Sequence, residues 1–198
     1  GNNTGVIETG GTLTVGAGPD AIIATGTGNT ITNSGSITAI RDGIYSSGAN
    51  ATITNSGTID AADDGIYSTG ADATITNSGT VKTTTGDGIY SSATNATITN
   101  SGTIDAADDG IYSGINATNA TITNSGTIDA AIDGIYSSAT NAIITNSGSI
   151  DAEDDGIYSL GADATITNSG SITAGDIGIF SWGTGAIINN SGTITGTD

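Results

Sequence analysis

Residues 51–72 read Ala-Thr-Ile-Thr-Asn-Ser-Gly-Thr-Ile-Asp-Ala-Ala-Asp-Asp-Gly-Ile-Tyr-Ser-Thr-Gly-Ala-Asp. Three aliphatic residues, Ile53, Ile59 and Ile66, each sit in a short segment where outward and inward positions alternate. A period of two around a β-branched residue is the mark of a strand with one buried face. Ser-Gly and Gly separate the segments and supply the turns. The spacing is 6, then 7, then 9 residues to Ile75, so no helical period of 3.6 runs through it.

The same unit recurs in both directions. Asn-Ser-Gly begins at Asn33, Asn55, Asn77, Asn100, Asn124, Asn146, Asn168 and Asn190, at intervals of 22, 22, 23, 24, 22, 22 and 22. Ile7 to Leu13 reads as an earlier, degenerate copy, with Ile7 placed 24 residues before Ile31. Through the chain the three aliphatic columns hold 26 positions, of which 24 are Ile and the others Leu13 and Val81. One unit cannot bury its own apolar face, whereas stacked units share a continuous core. The expectation is an all-β chain: a right-handed parallel β-helix of about nine coils, each of 22–24 residues with three short strands. Residues 1–198 form a single solenoid domain, a rod of about 43 Å at roughly 4.8 Å per coil.

Composition alone would point elsewhere. Ile, Val, Leu and Phe make 37 of 198 residues and the formal net charge is −18, values typical of disorder. The strict placement of the apolar residues overrides that reading. Without His or Cys there is no imidazole base, no thiol nucleophile, no disulfide and no zinc site of nitrogen or sulfur ligands. Two cations, Arg41 and Lys82, cannot hold a phosphate backbone, so nucleic acid is not expected as a partner. No apolar run approaches the roughly 18 residues of a membrane-spanning helix. No segment reads as a signal peptide, which a mature secreted chain would have lost.

Four columns could carry function. The eight Asn of Asn-Ser-Gly are expected to form a structural ladder, amide bonded to amide along the axis, at a position that also tolerates a left-handed turn. Tyr45, Tyr67, Tyr90, Tyr112, Tyr136, Tyr158 and Phe180 follow the third Ile and should face outward. They would stack as a ladder shielding one sheet, or serve as a strip for lateral contact or sugar binding. Asp42, Asp64, Asp87, Asp109, Asp133 and Asp155 precede Gly at the next corner, and the residue before them is Asp in every second coil. Stacked carboxylates repel by ~0.9 kcal/mol per pair even in water. The expectation is a solvated acidic face, with Asp63, Asp64, Asp108, Asp109, Asp154 and Asp155 as candidate weak Ca²⁺ ligands, since calcium takes several carboxylate and carbonyl oxygens. Thr-x-Thr flanks the first Ile at Thr30/Thr32, Thr52/Thr54, Thr74/Thr76, Thr97/Thr99, Thr121/Thr123 and Thr165/Thr167, a regular array of the type that binds ice. Glycosylation sequons stand at Asn2, Asn50, Asn95, Asn116, Asn119 and Asn189.

The run Ile-Thr-Asn-Ser-Gly-Thr-Ile at Ile53 to Ile59 resembles the secreted β-helix passengers of bacterial autotransporter and filamentous-haemagglutinin-like adhesins. That resemblance implies an extracellular or cell-surface β-solenoid. Polysaccharide-cleaving β-helices need a basic residue beside carboxylates in a cleft of long loops; here the two cations lie about two coils apart and no coil carries a long insertion. The sequence therefore reads as non-enzymatic, with no cofactor unless Ca²⁺. The core pattern begins by Ile7 and still runs at Ile188 and Ile194, without a polar or helical cap, and the ninth coil is unfinished at Asp198. The expected partner is a second copy, stacked head to tail into a filament, its N-terminal residues completing that coil. Lateral bundling and cell-surface glycans are further partners, membrane insertion is not, and the alternatives are an adhesin module and an ice-binding protein.

Overall fold

In residues 51–72 the alternation becomes three strands, which we call β7 (Thr52–Asn55), β8 (Thr58–Ala61) and β9 (Ile66–Ser68) from their place among strands β1 to β26. In β7, Ile53 and Asn55 are buried while Thr52 and Thr54 face out. In β8, Ile59 and Ala61 are buried and Thr58 and Asp60 exposed. In β9, Ile66 and Ser68 are buried with a half-buried Tyr67 between them. The protein is known from a computed structural model that describes residues 4–7, 12–14, 20–114 and 116–197.

Each strand pairs only with its equivalents one repeat away, always parallel and in register. Three sheets result, of nine, nine and eight strands. The first runs from β1 (Thr4–Ile7) to β25 (Ile187–Asn190), the second from β2 (Thr12–Thr14) to β26 (Thr193–Thr195), and the third from β3 (Ile22–Ala24) to β24 (Ile179–Ser181). These make eight complete coils plus two strands of a ninth, one fewer complete coil than the sequence count. All the elements among the described residues are strands.

The register shows how the repeat absorbs its irregularities. The interval of 23 places its extra residue between Val81 and Ile89, and the interval of 24 places two between Ile111 and Ile122. Both lie in turns, so Ile89 still opposes Ile111 and Ile98 still opposes Ile122. At the N-terminal end the register differs from the expected one: Gly5 opposes Ile31, and Ile7 opposes Asn33. The first strand of the degenerate copy is thus displaced by two residues, while Leu13 opposes Ile37 as expected; a two-residue shift preserves strand parity and so could not be seen from alternation.

The core is a stack of identical layers. From Ile31 to Ile172 the column residues are buried, as are Ala61, Ala106, Ala130 and their equivalents. Glycine is required where backbones nearly touch. A Cβ on Gly102 would lie 2.0 Å from the Gly79 carbonyl oxygen, and one on Gly110 would lie 2.3 Å from Ile128 Cγ2. Left-handed backbone occurs elsewhere than expected. It falls on Asn50, Asp72, Asn95, Asn119, Asn141 and Asp163, in the turn that leads into the first sheet, with φ between 54° and 58°. The Asn-Ser-Gly turn needs its glycine for close approach rather than for positive φ.

Candidate functional site

The inward Asn column is a single directed chain of amides. Nδ2 of Asn33 donates to Oδ1 of Asn55, and the same bond repeats through Asn77, Asn100, Asn124, Asn146, Asn168 and Asn190 at 2.7–2.9 Å. From Asn33 to Asn168 each Nδ2 also reaches a carbonyl of the neighbouring coil, as Asn77 does to Thr103 at 3.2 Å. Parallel in-register strands put equal residues one coil spacing apart, the separation at which a side-chain amide bridges to its copy. Asn33 to Asn168 are buried, so every bond replaces one to water with one in a low-dielectric interior.

The acidic corner differs most from the sequence expectation. Asp42, Asp64, Asp87, Asp109, Asp133 and Asp155 are buried, with residual exposures of 3–9 %, and form no solvated face. Oδ1 of each accepts the amide N–H of the equivalent residue one coil on: Asp42 from Asp64, Asp64 from Asp87, Asp87 from Asp109, Asp109 from Asp133, Asp133 from Asp155, and Asp155 from Ile177, at 2.8–3.3 Å. The carboxyl groups thus complete the backbone ladder where the corner leaves it open. Burial pushes their pKa up, with neighbouring carboxylates adding to the effect: Asp42 and Asp109 to about 6, Asp64 and Asp133 to about 7, Asp87 to about 8, and Asp155 upward.

Of the Ca²⁺ candidates, Asp63 and Asp154 are exposed and Asp108 half-buried, while Asp64, Asp109 and Asp155 belong to the inner column. Carboxylate oxygens come within 4.8 Å of one another in two groups, Asp87–Asp108–Asp109 and Asp154–Asp155–Asp176. The sequence reading had not singled out Asp87 or Asp176 for this. The inner members act as hydrogen-bond acceptors, Oδ1 of each taking the amide N–H of the next coil.

Tyr45 to Tyr158 and Phe180 stack face to face, with ring centroids 4.5–5.4 Å apart and planes within 22°. Ring faces are therefore spent on each other, leaving half-buried edges rather than platforms for sugar rings. Trp182, 75 % exposed and tilted 38° to Phe180 at 6.0 Å, adds an open indole beside the end of the stack.

Two further columns escaped the sequence reading. The left-handed turn residues form a partial outer ladder, Asn95 to Asp72, Asn119 to Asn95 and Asn141 to Asn119, at 2.9–3.1 Å. Asn50, Asn95 and Asn119 were noted only as sequons; the signal was their fixed place two residues before the strand of the first sheet. The second sheet carries an outward acidic row, Asp60, Asp105, Asp129 and Asp151, interrupted by Lys82, which pairs with Asp105. Arg41 lies 3.7 Å from Asp20, so each cation sits against an acid of an adjacent coil. The first sheet's outer face, from Thr30 and Thr32 to Ile187 and Asn189, bears no charge.

These features define a class: a parallel β-solenoid of near-identical coils, with ladders of Asn and Asp inside, stacked Tyr outside, and no pocket among the described residues. The chain matches no protein-family model, no curated protein and no solved structure.

Proposed function

We propose that this chain is a non-enzymatic structural protein of the extracellular space or cell surface, which stacks head to tail with copies of itself into a β-solenoid filament. The observation that carries this reading is the sameness of the coils, each of which pairs with the next through the same parallel edges in all three sheets. Ile188 and Ile194 stand in the same columns as Ile166 and Ile172, which are 0 % and 1 % exposed, yet they are 47 % and 37 % exposed themselves. Asn190 Oδ1 accepts from Asn168, while its Nδ2 is left with the Gly192 carbonyl of its own turn. The strands β24, β25 and β26 present parallel edges at one end, and β1, β2 and β3 present the opposite edges at the other. A second copy offers matching edges in two sheets, from β25 to the next β1 and from β26 to the next β2. The two ends differ, so the contact is heterologous and repeats without closing. The coil is taken as right-handed, the hand that parallel crossovers adopt. The extracellular placement rests on the likeness of the repeat to secreted adhesin passengers.

Sedimentation over a concentration series in high salt, which screens the −18 charge, tests the reading. Mass rising with concentration is expected, with the double variant Ile188→Lys/Ile194→Lys held at the monomer. A wild-type chain that stays monomeric throughout would overturn it.

A further inference from the structure

We propose that the inner Asp column, Asp42 to Asp155, is a proton-binding ladder: its carboxyl groups are carried neutral inside the rod in mild acid, and their ionisation loosens the coils as the medium turns alkaline. The inference is independent of filament formation, because it concerns bonds within one chain.

Geometry carries it. Six carboxyl groups occupy equivalent positions on successive coils, all buried, each with Oδ1 engaged by one amide of the next coil. No cation compensates them along most of the column. Asp42 faces Asp20, Asp63 and Arg41. Asp64 faces Asp42, Asp63 and Asp108, and Asp87 faces Asp64, Asp108 and Asp109. Asp109 faces Asp108 and Asp154, and Asp133 faces Asp109, Asp154 and Asp155. Asp155 faces Asp154 and Asp176. From the third sheet the column is approached by Tyr67, Tyr112 and Tyr136, whose own pKa values are pushed up, first by burial. Arg41 is thus the one basic side chain near the column, at its N-terminal end. Adjacent buried carboxylates cannot all ionise without an uncompensated charge in every coil, whereas neutral acids keep the amide bond through the carbonyl oxygen.

The sign is opposite to that of a salt-bridged Asp. A carboxyl that holds its proton more tightly when folded adds stability fully present below its unfolded pKa, near 4, and lost as pH rises through the folded values of about 6 to 8. Folding in that window takes up protons, and unfolding there should release them.

Thermal unfolding of the whole chain from about pH 5 to about pH 9, with EDTA or with Ca²⁺, is the test. The expected result is a Tm that falls with rising pH equally in both. The isosteric variants Asp64→Asn, Asp87→Asn and Asp133→Asn, which keep an oxygen for the amide, should flatten the fall and raise Tm at the alkaline end. Should those variants fail to fold, carbon-13 titration of the wild-type carboxyl groups answers independently: several Asp resonances should titrate well above the ordinary Asp range. A Tm that is flat or rises with pH, Asp resonances all titrating near 4, or a fall that Ca²⁺ abolishes would overturn the proposal.

Discussion

Asn and Ser face inward in the same coil, yet the structure gives them opposite energetic roles. Asn100 accepts from Asn77 and donates to Asn124, both at 2.8 Å. In Asn100→Ala the Asn77 donor and the Asn124 acceptor both lose a partner inside a dry core, a loss of about 2–6 kcal/mol at ~1–3 per stranded group. Chemical denaturation should show the midpoint fall accordingly. Ser113 is fully buried and its hydroxyl has no hydrogen-bond partner, as in Ser46, Ser68 and Ser159. Ser113→Ala removes an unsatisfied polar group from a site of nearly the same volume, so the same measurement should show a gain of about 1 kcal/mol. The Asn ladder was legible from the sequence because identical residues at a fixed interval in parallel strands must stack. The Asp column was misread as outward because charge suggested solvent. What decides its place is the backbone: the corner N–H needs an acceptor, and Asp supplies one from inside.

At the scale of the strand, period two settled which residues are buried in each sheet, and Ile fixed the columns that hold the coils in register. The same parity hid the two-residue displacement of β1 relative to β4 (Thr30–Asn33), since both alignments keep the same face inward. The left-handed turn column was missed for another reason. Asn and Asp share it, as in Asn50 and Asp72, and only their common tolerance of positive φ unites them. The aromatic column was legible as a stack. That stacking consumes the ring faces, which only the 4.5–5.4 Å separations of the coordinates reveal.

For the whole molecule, uniform coils mean that any cross-section resembles the next, so what happens at the ends governs association. Twenty acidic residues against two basic ones oppose end-to-end approach, and protonation of the inner column would lessen that opposition. Filaments should therefore form more readily in mild acid than in alkali, although the proton ladder stands whether or not they form. The central claim is that coils of successive molecules continue one solenoid. X-ray diffraction from aligned assemblies, grown in mild acid and imaged alongside by electron microscopy, tests it most directly. The account predicts filaments many molecules long with a reflection near 4.8 Å along the filament axis, the spacing of parallel strands stacked end to end. Separate rods about one molecule in length, or fibres whose 4.8 Å reflection lies across the axis, would contradict it.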